Sequence, residues 1–310
     1  MTDSNIIVSV IICTYNRCHY LDSTLDSLSL LETNPNIFEV IVVDNNSKDN
    51  TEEIVKKHIK IGKIKNLIYK YEPMQGLSFA RNLGIKMARG EIITFLDDDI
   101  EADSRLIEEI QRAFMIPNVM AVGGKVVLKY ESLKPVWIDT ELENFLTKLD
   151  YGDYVFEVDL INKWIVGANM SFSKLVFKEY LFSTSLGRKG NILLSGEEID
   201  LCLKIKDSLG KIIYYPKAII KHKVPKERLN KSFFRKRIYW GNVSDILIQK
   251  PFKNNNYYFN EVFKALKILI IGIIHFFIFW TNPNVKFKGE LMLISGVARI
   301  KTLLSFWRGN

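Results

Sequence analysis

The stretch Gly90–Asp103, GEIITFLDDDIEAD, decides how the chain is read. Ile92, Ile93, Phe95 and Leu96 form a short apolar run, the pattern of a strand buried on both faces of a parallel sheet. The run stops at three adjacent carboxylates, Asp97, Asp98 and Asp99. Successive strand residues project to opposite faces, so Asp97 and Asp99 are expected to point together and Asp98 away. Neighbouring carboxylates repel, and such a cluster is comfortable only beside cations or hydrogen-bond donors. A divalent cation carrying a phosphorylated ligand supplies that charge through oxygen coordination. An isolated Asp triplet is equally a turn former or a helix cap, and the rest of the chain must decide.

Upstream, Ile6–Ile12 (IIVSVII) is a β-branched run expected as a central strand, ending in the polar loop Cys13–Arg17. A helix is expected from Leu21 to Leu31, then a second buried strand, Phe38–Val43, closing on Asp44-Asn45-Asn46-Ser47. Thr51 is the candidate N-cap of the next helix, Asn66–Tyr71 a third strand, and Phe79–Met87 a helix with Gly90 as its C-cap. Strand alternates with helix, which predicts an open, mostly parallel α/β sheet with right-handed crossovers. In such sheets ligands bind beyond the carboxyl ends of the strands. The polar ends at Thr14–Arg17, Asp44–Ser47 and Asp97–Asp99, with Arg81 and Asn82 on a helix, therefore converge on one crevice in this reading.

Downstream, Asn118–Lys129 reads as a strand in which Gly123-Gly124 marks a bulge or a close backbone approach. Trp137, Tyr151, Tyr154 and Phe156 are candidate substrate platforms or ordinary core residues. Trp164–Ser171 reads as a strand leading into a corner, and Ser195–Asp200 opens a helix to about Leu209. Carboxylates in a first helical turn suit the helix dipole, which alone accounts for Glu197 and Glu198. Lys211–Tyr215 and Ala218–Ile220 are two apolar runs around Pro216, and His222 reads as a lone exposed histidine among basic residues.

At 310 residues, 47% of them hydrophobic, the chain can bury a sizeable core in one large domain or two. A net charge of +8 makes an anionic partner plausible. Without an arginine-rich tract, RNP-like motif or zinc-finger spacing, no nucleic-acid partner is expected. Cys13, Cys18 and Cys202 are odd in number and scattered, which suits a reducing compartment. Acidic Asp3, with no basic and apolar stretch after it, argues against a signal peptide.

These residues resemble the family 2 glycosyltransferases, inverting sugar-nucleotide transferases with a GT-A fold. The matching stretches are VSVIICTYNR (8–17), VIVVDNNSKDNT (40–51), QGLSFARNLGI (75–85), GEIITFLDDDI (90–100), GANMSF (167–172), GEEIDLCLKI (196–205) and YYPKAIIKH (214–222), in the family's order. The resemblance implies that Thr14, Tyr15, Arg17 and Asp44 line the nucleoside pocket, with Asn46 beside them and Asp44 accepting from the base. It places Arg81 near the phosphates, Asp97 at the ribose or donor sugar with Asp98 among the nucleotide-sugar-binding residues, and Asp99 with His222 on a Mn2+ or Mg2+ ion. Gly167, Ala168 and Asn169, with Trp164 before them, match the corner beside donor sugar and acceptor. Glu198 matches the family's catalytic base, one methylene longer than the common aspartate, with Glu197 and Asp200 as fallbacks. The implied fold is Rossmann-like and α/β. Residues 1–225 would form the catalytic domain (1–100 nucleotide-binding, 101–225 acceptor-binding), and 226–310 a helical region.

That helical region is basic and then apolar. Lys226–Arg237 interleaves Phe233 and Phe234 with cations, a pattern suited to an anionic membrane surface or to a solvated helix face. Ile268–Trp280 (ILIIGIIHFFIFW) would reach about 20 Å as a helix, short of the roughly 30 Å hydrocarbon core. Extension back to Val262 includes Lys264 and Lys267, which could snorkel. An interfacial or re-entrant helix is expected ahead of a true span. A buried core helix or a homo-oligomer surface is the remaining reading. The combined expectation is a glycosyltransferase using a nucleotide sugar, by family default a UDP-sugar. It would act on a glycan or lipid-linked acceptor in bacterial surface polysaccharide synthesis, peripheral or monotopic at the cytoplasmic membrane face. A non-catalytic scaffold of the same fold is the alternative, and a nucleotidyltransferase would leave GEEIDLCLKI unexplained.

Overall fold

The computed structural model describes residues 6–190, 192–208, 210–249, 255–279 and 281–307; Asp3, Leu209 and Trp280 lie outside the described residues. The chain runs β1 (Val8–Thr14), α1 (Cys18–Leu28), β2 (Phe38–Asp44), α2 (Thr51–Ile61), β3 (Leu67–Tyr71), α3 (Leu77–Met87), β4 (Ile92–Leu96), β5 (Ile100–Ala102) and α4 (Leu106–Phe114). It continues with β6 (Val119–Tyr130), α5 (Thr140–Glu143), β7 (Phe156–Glu157), β8 (Asn169–Ser173), α6 (Glu197–Ser208), β9 (Lys211–Val224), α7 (Lys231–Gln249), α8 (Asn255–Ile278) and α9 (Pro283–Trp307). Two compact units result. One holds the chain up to Glu131 with Leu146–Gly187 and Glu197–Val224; the other holds Ser132–Phe145, Arg188–Gly196 and the chain from Pro225.

In the first unit the strands form one sheet in the order β3-β2-β1-β4-β8-β6-β9-β5, with β7 also on β9. The β-branched runs of β1 and β2 are buried along nearly their whole length, as strands covered on both faces must be. Parallel pairing in register carries Thr14 opposite Asp44, so two of the polar loops leave the sheet side by side. The sheet is mixed rather than mostly parallel, because β8 runs antiparallel between β4 and β6, and β5 and β7 run antiparallel to β9. The βα alternation that licenses a parallel reading ends at β4.

Several local expectations change for identifiable reasons. Thr51 is the first helical residue of α2, not its cap; Asp49 Oδ1 accepts from both its N–H and its hydroxyl. α1 begins at Cys18 and ends at Leu28. α3 ends at an extended Ala88, and Gly90 serves close approach instead: a Cβ there would meet Ile7 O and Ser9 N of the neighbouring chain. Beside it, buried Glu39 accepts from Ser9 Oγ at 2.6 Å and from Arg89 Nε at 2.8 Å, a charge hidden in an otherwise apolar strand. Trp164–Ala168 is the corner and β8 follows it, the reverse of the expected order. The two runs around Pro216 are one strand, β9, whose register on β6 jumps between Gly124 and Lys125, where the proline is accommodated.

Gly124 sits at that irregularity. An added Cβ would collide with the Asn169 amide and the Ala218 carbonyl. A Gly124→Ala protein is expected to lose about 1–3 kcal/mol of stability, seen as a lowered thermal midpoint. An unchanged midpoint would contradict this packing.

In the second unit, α8 packs on α9 and α7 on α9. Arg299 ties the three together, donating to Asn242 Oδ1 at 2.8 Å, to buried Glu261 at 2.6 Å and to Asp245 at 3.1 Å. Trp137 meets the rings of Phe234 and Phe287 edge-on, so it is a packing residue. Phe234 is buried and Arg235 pairs with Glu290, so this part of the basic stretch 226–237 is spent inside the unit. Among the described residues, no helix is long and apolar enough to cross a membrane.

Candidate active site

β4 ends at Leu96, and the chain turns through Asp98 and Asp99 before β5 begins. The three carboxylates sort as expected, but a turn achieves it rather than the pleat of a strand. Asp97 and Asp99 converge with His222, with one donor atom from each lying within 4.8 Å of the others. His222 Nε2 is 3.2 Å from Asp99 Oδ1 and 3.8 Å from Asp97 Oδ2. The histidine is not exposed. It is fully buried in β9, across from Ile100 and Leu128, because strand alternation sends Lys221 and Lys223 the other way.

Among the described residues, neither ring nitrogen of His222 has a hydrogen-bond partner. Burying an imidazole unsatisfied is costly unless something else occupies it. Two carboxylates and one imidazole form an oxygen- and nitrogen-donor set suited to Mn2+ and compatible with Mg2+. The residues present therefore fit a divalent cation. His222→Ala is expected to weaken manganese binding at least about tenfold, measured by titration calorimetry; unaltered affinity would remove His222 from the site.

Asp98 points away from this cluster. It accepts from Thr14 Oγ1 at 2.7 Å and from Arg17 at 2.7 Å, while the other arm of the same guanidinium reaches Asp99 Oδ2 at 2.5 Å. Burial raises the Asp98 carboxyl to about 6, with Arg17 pulling against it. Burial also works against the Arg17 cation, but Asp98 and Asp99 outweigh it and hold it more firmly charged than usual. Arg17 is thus a fork on the acidic turn. The placement follows from topology: β1 lies beside β4, so the loop after β1 meets the turn after β4.

Asp44 accepts from the Ser47 N–H and from the Tyr69 hydroxyl at 2.9 Å. Asn46, in a left-handed conformation at φ 68°, accepts from Tyr71. Tyr15 is exposed. Asn45, which the sequence reading passed over, is buried; its amide donates to Met74 O and accepts from the Gly76 N–H, fixing the loop that enters α3. Its signal was only that it lies between two residues already singled out.

On the other side, Arg81 is buried and donates to Glu197 Oε1 at 2.6 Å, its guanidinium stacked near Phe95 and Phe182. Gly167 abuts Arg81 so closely that a Cβ would strike it. Burial opposes the Arg81 charge, yet Glu197, then Glu198, Cys13 and Asp97 raise its pKa. This shared field links the acidic turn to the first turn of α6. Asp200 pairs with Lys204 at 2.7 Å. Glu197 and Asp200 are therefore each bound to a cation, and Glu198 is half-buried in the same turn. Ala168 is buried, and the Asn169 amide donates to Lys125 O and Ala218 O within the sheet. Trp164 exchanges hydrogen bonds with the Tyr151 hydroxyl through its backbone, and no described contact joins it to the acidic turn.

Known proteins resemble the chain in sequence and in fold. The model of the Glycosyl transferase family 2 matches residues 9–181. A glucosyl-dolichyl phosphate glucuronosyltransferase of Haloferax volcanii is 28% identical, over 82% of this chain and 82% of its own length. A glycosyltransferase of Haemophilus influenzae is 27% identical over 91% of this chain and 98% of its own. The mannosyltransferase PcManGT from Pyrobaculum calidifontis, solved with GDP-Man and Mn2+, shares the fold at TM-score 0.61 and 18% identity, covering 98% of this chain and 77% of that one. S. aureus TarS 1-349 with UDP-GlcNAc gives TM-score 0.56 at 20% identity, over 78% and 67%. The chain belongs to glycosyl transferase family 2 and is a glycosyltransferase on the GT-A fold.

Proposed function

We propose that the enzyme transfers a sugar from a UDP-sugar to a glycan or lipid-linked acceptor, with inversion at the anomeric carbon, in bacterial surface polysaccharide synthesis at the cytoplasmic membrane face. The observation that carries this reading is the convergence of Asp97, Asp99 and buried His222 on one donor set. A lipid-linked acceptor is supported by the Haloferax relative, whose name specifies a glucosyl-dolichyl phosphate. The nucleoside is assigned to the face formed by Thr14, Tyr15, Asp44 and Asn46, with Asp44 accepting from the base.

Asp97, Asp99 and His222 would hold Mn2+ or Mg2+, which when bound would supply Lewis-acid charge to stabilise a diphosphate leaving group. Arg17 keeps the acidic turn in shape, its two arms fixing Asp98 and Asp99. Arg81 holds Glu197 and thereby the start of α6, so it positions the turn that carries Glu198. Glu198 takes the proton of the acceptor hydroxyl as that oxygen attacks. One base acting on the face opposite the leaving group makes the attack a single displacement. Proton NMR of the product tests this: an α-linked donor should yield a β-linked product. An α-linked product would overturn the inverting mechanism and the role of Glu198 with it.

A further inference from the structure

α8 is built inside out for a helix in water. Its small residues face inward: Gly272 lies so close to α9 that a Cβ would come within 3.0 Å of Gly289 O and Leu293 N. Gly289 approaches Phe276 N and Gly272 O in the same way, and Gly296 approaches Ala265 O. Backbones that meet through glycine are the packing mode of helices in lipid, where large side chains gain nothing by turning inward. The large side chains of α8 indeed turn outward. Phe259, Phe263, Leu266, Ile270, Ile273, Ile274 and Phe277 are all exposed. Their spacing of three or four residues draws one continuous stripe over about 27 Å of helix. A contiguous apolar surface of this extent marks an interaction site.

The charges beside the stripe select its occupant. The acidic residue of α8, Glu261, is buried between Arg299 and Lys264, whose exposed ammonium reaches it at 2.6 Å, and Lys267 is exposed beside the stripe. Every outward-facing charge on α8 is therefore positive. Flanking lysines with an apolar, aromatic-rich face are the composition of a helix lying in the headgroup region. A second copy in parallel register would set like charges against one another, and the stripe is a ridge one helix wide rather than a flat patch.

We propose that the exposed face of α8 lies on an anionic lipid surface, with Phe263, Ile270 and Phe277 entering the acyl boundary and Lys264 and Lys267 meeting the headgroups. This names the surface behind the membrane-face location proposed above and rests on that part of the reading, but does not depend on the donor, the metal or the catalytic base. The test is flotation of the full chain with phosphatidylcholine vesicles, with and without about one-third phosphatidylglycerol. The wild type should float with the anionic vesicles. Phe263→Ser/Ile270→Ser/Phe277→Ser should reduce that binding at least tenfold while donor turnover in solution stays unchanged. Lys264→Gln/Lys267→Gln should weaken binding to anionic vesicles by about fivefold per lysine and leave neutral vesicles unaffected. Equal binding of the wild type to neutral vesicles, or undiminished binding of the triple variant, overturns the proposal. An oligomer in light scattering that the triple variant dissolves, with no vesicle binding, assigns the face to a second copy instead.

Discussion

Asp99→Ala is expected to fold and to lose at least about 10³-fold in turnover of the sugar nucleotide. Asp99 has no exposed surface, and its two oxygens face different partners: Oδ2 takes Arg17, and Oδ1 lies 3.2 Å from His222. Removing it takes one of three donors from the cluster and leaves Asp97 and His222 too few to hold a cation tightly. Folding should survive, because one of three mutually repelling carboxylates disappears while Arg17 keeps Asp98. The measurement is nucleotide release with manganese, alongside a thermal melt. Turnover within tenfold of wild type, in a folded protein, would show that Asp99 is not needed for the leaving group.

Glu198→Gln should separate binding from chemistry. Glutamine has nearly the same shape and cannot accept the acceptor's proton, so transfer should fall by about 10²–10⁴-fold. Donor affinity should stay close to wild type, since the nucleotide contacts assigned here belong to other residues. The neighbours behave differently. Glu197 is paired with buried Arg81, so Glu197→Gln should cost stability as well as rate, by leaving a buried guanidinium without its counter-charge. Asp200, paired with Lys204 one helical turn on, should tolerate Asp200→Asn with little change in transfer. If Glu197→Gln or Asp200→Asn abolished transfer in a stable protein while Glu198→Gln did not, the base would have to be reassigned.

The part of the site legible in sequence is the part carried by local pattern. β-Branched runs ending in Thr14, Asp44 and Asp97 announce buried parallel strands, and those strands exist with their ends side by side. What remained hidden depends on pairings distant in the chain. Arg81 and Glu197 are 116 residues apart, and Arg17 lies more than 80 residues from its carboxylates. No local rule connects them. His222 looked exposed because its neighbours are lysines; only its place in β9, with β5 on one side and β6 on the other, buries it. The antiparallel β8 was equally illegible, since a short apolar run carries no sign of its direction.

The most direct measurement is nucleotide release by the wild-type chain from a panel of UDP- and GDP-sugars, first with the chelated protein and then with Mn2+ or Mg2+ restored, with extracted lipids as acceptor. The predicted result is release from one preferred donor that vanishes on chelation and returns with the cation. Release that persists undiminished under chelation, or no release from any donor with cation and lipids present, would contradict the account of Asp97, Asp99 and His222 as the centre of the site.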